Sequence, residues 1–359
     1  MSFLSISYTN FRNLKDATVN IGYPEVFLVG KNGQGKTNFL EALYVSSYGL
    51  SFKSLSEAKI ATNNSSFYNV RALYKASEQI SHNILISYNR GRKDIQKDIK
   101  KINRQDLINT IPCILFYTSD IEFVNGSQAR KRFFFDQCLS MYDINYLFLL
   151  QSYYKVLANK NIVLRSQNNF DLLDVYNAQI SNLALSIVKK RMALIEEFNS
   201  EFEELYKEIS GLSDVRVKYQ STINIREERE LLAVLDKKKE SEINMKTSLI
   251  GPHRDKVLYT KNGIACEKEL SNGQRRLISL VLRMLQAKFY TKKLKRKPIF
   301  LMDDIMLELD NEKRQKFMSF LPSYEQLFST FVQGELCNVY KKKDTKIFYV
   351  ENGTLSERN

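Results

Sequence analysis

An apolar stretch beginning at Val26 runs into FLVGKNGQGKTNFLEAL, residues 27–43, in which Gly30, Gly35, Lys36 and Thr37 spell G-x-x-x-x-G-K-T. The apolar residues before Gly30 read as a buried strand. Phe39, Leu40, Ala42, Leu43 and Val45 give Asn38–Tyr48 the apolar side of a helix. Strand, glycine loop and helix make a phosphate cradle: glycine lets the backbone curl until several N–H groups converge, and the helix adds the positive end of its dipole. The pattern assigns Gly30, Lys31, Asn32, Gly33, Gln34, Gly35, Lys36, Thr37 and Asn38 to a triphosphate. Lys36 reaches the β- and γ-phosphates, and the Thr37 hydroxyl takes Mg2+. A plain glycine-rich turn is the competing reading, and the flanking strand and helix argue against it.

Two further elements bear on that nucleotide. In IFLMDDIMLELD, residues 299–310, four apolar residues lead into Asp303–Asp304. Adjacent carboxylates at the end of a buried strand repel each other unless a cation stands by. With a Mg2+–triphosphate nearby, Asp303 orders the metal's water shell and Asp304 polarises the attacking water. In LSNGQ, residues 270–274, Ser271 is placed as the N-cap of an amphipathic helix, with Gly273 and Gln274 beside it. That is a second phosphate-binding helix terminus. One protomer rarely needs two, so Ser271 is expected to close over the γ-phosphate held by another subunit.

The chain has 359 residues, with 54 Lys plus Arg against 40 Asp plus Glu, a formal charge of +14. Such an excess favours a polyanionic partner, nucleic acid or an anionic membrane surface. No apolar run reaches the ~20 residues of a membrane span, and the first residues lack the form of a signal peptide. Cys113, Cys138, Cys266 and Cys337 are far apart and form no C-x-x-C pair, as in a reduced, cytoplasmic protein. Outside the Asn38–Tyr48 helix, strand-like texture covers the first twenty residues and Tyr68 to about Lys101, and IPCILFYT (111–118) reads as a buried strand. Residues 128–210 are nearly free of Pro and Gly and repeat apolar positions at helical spacing. Strand signals return in VRVKYQST (215–222), SLIGPHRDKVLYT (248–260) and IFLMDDIML. The expected fold is α/β, a P-loop ATPase head of mixed sheets and helices built from residues 1–118 and 246–359, with an inserted, mainly helical lobe over 119–245.

P-loop, LSNGQ and the paired aspartates, in that order, resemble the ABC-type ATPases. Adding FRN (11–13), KRFFFD (131–136), GPHRD (251–255), SNGQRR (271–276) and DDIMLELD (303–310), the whole chain resembles the RecF family, DNA-repair ATPases of the SMC-like group. The resemblance implies ATP and Mg2+ as ligands and adds Arg12 of FRN to the nucleotide contacts. It implies an ATP-dependent homodimer on duplex DNA and at gaps or single-strand/double-strand junctions, acting with RecO and RecR to help load RecA, and no membrane partner. Lys256, Asn272 and Lys131 depart from the family pattern. No histidine follows His253, so Ser329 and Thr330 are the candidates for sensing the γ-phosphate, and slow, switch-like hydrolysis is expected.

Three basic clusters stand out. Arg90, Arg92, Lys93, Lys97, Lys100, Lys101 and Arg104 crowd one hairpin-like stretch; Arg130, Lys131 and Arg132 adjoin three phenylalanines; Lys292, Lys293, Lys295, Arg296 and Lys297 precede the Asp303 strand. The first, with Arg130 and Arg132, is the expected DNA surface, through phosphates rather than bases. The third reads as a solvated face. His253 lacks a metal-ligand partner and reads as structural or as a coupling element. Three rival readings stand beside it: an ABC transporter subunit, disfavoured by the large insertion; a DNA-bridging protein that binds ATP without hydrolysing it; and a different SMC-like head, disfavoured because the sequence has no heptad-rich coiled coil of the needed length.

Overall fold

The computed structural model describes residues 1–108, 110–166, 168–223, 227–334 and 336–357. The chain divides into two compact units, residues 1–119 with 286–359, and residues 120–285. Sequence texture puts the second return point at 245/246. The structure moves it to 285/286, which assigns GPHRD and the signature LSNGQ to the inserted unit.

The first half of unit one contains β1 (Ser2–Thr9), β2 (Ala17–Asn20), β3 (Glu25–Val29), α1 (Lys36–Tyr48), β4 (Phe67–Lys75), β5 (Ser81–Asn89), β6 (Arg92–Lys97), β7 (Lys100–Lys101), α2 (Arg104–Leu107) and β8 (Cys113–Phe116). The inserted unit follows with α3 (Glu122–Asn125), α4 (Gln128–Tyr142), α5 (Ile144–Ser166), α6 (Leu172–Ser210), β9 (Val215–Gln220), α7 (Glu228–Met245), β10 (Lys256–Lys261) and β11 (Ile264–Ala265). Helix α8 (Asn272–Leu294) carries residues of both units. Unit one then closes with β12 (Ile299–Met302), α9 (Asn311–Phe320), β13 (Gln326–Phe331), α10 (Leu336–Tyr340), β14 (Thr345–Glu351) and β15 (Thr354–Ser356).

Unit one holds two six-stranded sheets, ordered β2-β1-β4-β5-β6-β7 and β15-β14-β3-β13-β12-β8. The first is antiparallel, and its strands alternate: β4 reads Tyr68, Val70, Ala72 and Tyr74 inward and Phe67, Asn69, Arg71 and Leu73 outward. In the second, β14, β3, β13, β12 and β8 pair in parallel. Its central strands β3, β12 and β13 are buried at every residue, as parallel strands covered on both faces must be. One apolar core joins side chains of both sheets with Phe39, Leu40, Ala42, Leu43 and Val45 of α1. Helix α1 therefore lies between the two sheets. This explains why nearly all of it is buried and why it lacks a polar face.

The inserted unit is less purely helical than expected. Alongside the 39-residue α6 it carries a three-stranded antiparallel sheet, β11-β10-β9. The expected strand over 248–260 is only its second half: β10 starts at Lys256, and Gly251–Asp255 form a turn, with Arg254 N donating to the Gly251 carbonyl.

Candidate nucleotide site

Strand order places the site. β13 lies between β3 and β12, so the residues leaving the carboxyl ends of three adjacent parallel strands meet there. From β3 comes the glycine loop, from β12 come Asp303 and Asp304, and from β13 comes Thr330. The Gly35 N-cap sits at φ 117°, a left-handed conformation that glycine accepts without strain.

Lys36 is 4% exposed and donates from Nζ to the carbonyls of Gly30 at 2.8 Å and Lys31 at 3.1 Å, spanning the loop from inside. The Thr37 hydroxyl lies 2.9 Å from each carboxylate oxygen of Asp303. Thr330 Oγ1 is 3.1 Å from Asp303 Oδ1 and 3.0 Å from Asp304 Oδ1, and accepts the Asp304 N–H at 2.7 Å. Two hydroxyl protons thus serve two carboxylates. Burial, and then the charge of Asp304, push the Asp303 carboxyl up to about 6 from 3.8, against the hydroxyls of Thr37 and Thr330. A buried carboxyl under that load beside a hydroxyl has the donor set and the charge deficit that a divalent cation fills. Thr37 and Asp303 are the residues that would hold it.

A cavity of about 190 Å3 opens over this floor, lined by Asn32, Gly33, Gly35, Lys36, Thr37, Asn38, Lys53 and Asp304. Lys53 is a lining residue that the motif did not contain. Its Nζ donates to Asn38 Oδ1 at 2.7 Å and stands 4.0 Å from Glu41, and burial lowers its pKa despite that neighbour. The loop is also braced from behind. Asn13 Nδ2 donates to the Gly33 carbonyl at 2.9 Å. The turn between β14 and β15 donates Gly353 N to the Gln34 carbonyl at 2.9 Å and Asn352 N to Gln34 Oε1 at 2.6 Å. A Cβ on Gly353, at φ 79°, would run into the Asn13 carbonyl. The Asn-Gly pair at 352–353 is a hairpin signal, but nothing local in it reports the loop it touches. Arg12, expected at the nucleotide, instead gives its guanidinium to buried Glu41 at 2.9 and 2.6 Å and to the Lys59 carbonyl. It ties the β1–β2 connection to α1, and its charge helps lower the pKa of the cavity-lining Lys53.

In the inserted unit Ser271 is exposed at the start of α8 and forms a capping box. Its N–H donates to Gln274 Oε1 at 2.8 Å, and Gln274 N donates to its Oγ at 3.2 Å. Gly273 is exposed beside it.

The basic stretch of unit one is split by strand alternation. Arg90, Arg92, Lys100, Lys101 and Arg104 are exposed. Lys93 and Lys97 share a face with buried Ile95, and Lys93 is spent on the Gly49 carbonyl and Glu57, both at 2.5 Å. This withdraws Lys93 from the candidate DNA contacts. Arg130 is partly exposed, paired with Glu122 at 3.2 Å and lying over Phe123 and Phe133. Arg132 is 8% exposed and donates to the Asp255 carbonyl at 2.6 Å, and burial lowers its pKa; it is structural, as is the buried Lys131, which pairs with Glu267 at 3.1 Å. His253 packs the same unit. Its Nδ1 lies 2.6 Å from the Tyr153 hydroxyl, and burial lowers its pKa to about 4, so it is neutral.

Comparison with known proteins agrees with this geometry. The family model of the RecF/RecN/SMC N terminal domain matches residues 3–356. The chain is 41% identical over 351 residues to the DNA replication and repair protein RecF of Treponema pallidum, covering 97% of this chain and 99% of that one. It is 28% identical to the RecF of Citrifermentans bemidjiense over 99% of this chain and 100% of that protein. A solved structure of the recombination mediator protein RecF with ATP, of the RecFOR pathway, superposes with a TM-score of 0.88 at 25% identity, covering 100% of this chain and 98% of that one. An Smc head domain from Pyrococcus furiosus shares the fold at a TM-score of 0.57 and 14% identity, over 99% of this chain and 95% of that one. The fold is the ABC-type ATPase fold common to RecF and the SMC heads, and this chain belongs to the RecF family.

Proposed function

We propose that this chain is an ATP-dependent DNA-binding protein of recombinational repair, in which ATP binding joins two copies head to head and slow hydrolysis parts them. The observation that carries the reading is the floor of the nucleotide site. There Lys36, Thr37, Asp303, Asp304 and Thr330 converge from three strand ends, and burial beside Asp304 raises the Asp303 pKa. The glycine loop and Lys36 bind the phosphates, and Thr37 and Asp303 hold Mg2+. When bound there, the ion would supply charge neutralisation to the phosphate oxygens. Asp304 receives and orients the attacking water, with Thr330 fixing its carboxylate. Ser271, Gly273 and Gln274 present an exposed helix N-terminus suited to a γ-phosphate, and we assign its ligand to the nucleotide of a second copy.

The relatives named above as replication and repair proteins, and the RecFOR pathway to which the solved RecF belongs, support repair as the setting. Duplex DNA and gap or junction DNA, RecO and RecR are the partners we assign, with a cytoplasmic location. Among the described residues no helix is long and apolar enough to cross a membrane. Light scattering with ATP, ADP or no nucleotide tests the switch. ATP alone should double the mass of wild type, and neither Lys36→Met nor Ser271→Arg should dimerise. A wild type that stays monomeric with ATP ends the sandwich reading. Phosphate release, with and without duplex DNA, separates a hydrolysing switch from a bridging protein that only binds ATP.

A further inference from the structure

The open face of the antiparallel sheet has no role in the nucleotide site. Register aligns one row across all six strands: Thr18 opposite Ser7, Ser7 opposite Arg71, Arg71 opposite Leu85, Leu85 opposite Gln96, and Gln96 opposite Lys101. Arg92 points to the same side, two strands from Arg71 (about 10 Å across) and four residues along (about 13 Å) at ordinary strand geometry. Ser7, Thr9, Asn69, Arg71 and Leu85 line a depression of about 390 Å3 in this face. Among the described residues Arg71 and Arg92 are exposed and make no ion pair. The acid on these rows, Asp94, is already held by Lys101 at 3.0 Å and by Gln96 at 2.7 Å.

Unpaired arginines set among hydroxyl and amide side chains are the groups that contact phosphate and sugar. The apolar members Phe67 and Leu73 are only 38% exposed each, too little for a hydrophobic protein interface. Resting on the DNA-binding reading above, we propose that this sheet face, centred on Arg71 and Arg92, binds the phosphodiester backbone of nucleic acid. Arg71 lies outside every basic run of the sequence, and unlike Lys93 it is presented to solvent by the fold.

Fluorescence anisotropy of a labelled duplex, and of the matching single strand, over a range of salt concentrations tests it on the full-length protein with ATP. For each phosphate that a variant no longer neutralises, the slope of log affinity against log salt should become shallower by about 0.9 on duplex and by about 0.7 on single strand. Arg71→Ala with Arg92→Ala should therefore make the duplex slope shallower by about 2, whereas Arg71→Lys should keep it and ATP binding should stay intact. Lys237→Ala with Lys238→Ala, exposed on α7, serves as the control. The form of nucleic acid whose slope falls identifies the natural ligand. Wild-type binding with an unchanged slope in the double variant overturns the surface alone. Absence of any wild-type binding overturns the DNA reading, and the surface with it.

Discussion

Two buried polar clusters, one in each unit, look alike in composition and behave oppositely. In the inserted unit Arg191 is 1% exposed and forks onto Asp136 with two bonds of 2.8 Å, while giving a third to the Pro252 carbonyl at 2.7 Å. Beside it Asp255, fully buried, accepts from Thr222 N at 2.7 Å, Thr222 Oγ1 at 2.9 Å and the Tyr219 hydroxyl. Arg191 and Asp136 close an ion pair and Asp255 is held by an N–H and hydroxyls, and the charge of Asp136 lifts the Arg191 pKa well above its ordinary value although burial alone would lower it. The floor of the nucleotide site instead sets two adjacent carboxylates against each other, bonded by hydroxyls, with the Lys53 charge too weak to offset burial and repulsion at Asp303. Scaffolding closes its own charge balance, and a ligand site leaves it open.

The largest expected effect follows from breaking the closed cluster. Arg191→Met leaves Asp136 buried without its cation and should cost about 3–5 kcal/mol of stability. Denaturant unfolding followed by circular dichroism measures it. Asp303→Asn removes a repelled charge instead, so the nucleotide-free protein should be no less stable than wild type while ATP turnover is lost. If the two variants unfold alike, the distinction between closed and open clusters falls.

Titration sharpens the same contrast, because the two units should respond to pH with opposite sign. Asp303 titrates near 6 when folded against about 3.8 when unfolded, so the folded state holds the extra proton between these values. That unit loses stability as pH rises from about 4 to about 6. His253 titrates near 4 when folded against 6.5 when unfolded, so the unfolded state holds the extra proton. The inserted unit gains stability as pH rises over the same interval. Hydrogen exchange, read separately for β12 and for the 248–255 turn without nucleotide, should show the opposed slopes. Asp303→Asn should flatten the first and His253→Gln the second.

What could be read from the sequence follows from how local each contact is. Gly30–Thr37 is one contiguous loop between a strand and a helix, and its context is visible in the same twenty residues. Asp303 and Asp304 announce themselves by following four apolar residues. Asn13, Lys53 and Asn352–Gly353 reach the loop from three separate segments, and no spacing rule joins them to it. Two placements follow from periodicity alone. Arg132 stands three residues before Phe135 and seven before Leu139, on the buried side of α4, and period two puts Lys93 with Ile95 and not with Arg92. Counting charges hid both. Strand β10 is visible in the sequence but falls to the wrong unit there, since strand texture says nothing of which sheet a strand joins.

The brace behind the loop offers a smaller and more selective break. Gly353→Ala puts a non-glycine residue at a positive φ, a strain of about 1–3 kcal/mol, and its methyl would stand far inside contact distance of the Asn13 carbonyl oxygen, so the turn must also shift away from the loop. Because Gly353 N holds the Gln34 carbonyl, the damage should appear as weaker ATP binding by calorimetry, with the inserted unit's unfolding unchanged.

The smallest expected effect on stability is the one that best separates scaffold from site at the second helix terminus. The Ser271 capping box is exposed, so Ser271→Ala should cost about 1 kcal/mol of helix stability, and Ser271→Asp, which keeps a capping acceptor, close to nothing. The two changes exchange rank for function. Aspartate sets a negative charge where a γ-phosphate would arrive, so Ser271→Asp should abolish ATP-driven dimerisation while leaving ATP binding to the monomer intact; Ser271→Ala keeps the backbone N–H groups and should only weaken association. Light scattering beside thermal unfolding reads both quantities. An aspartate variant that dimerises as wild type does would make LSNGQ a capped helix and nothing more, with the charge deficit at Asp303 left for a ligand that no second subunit touches.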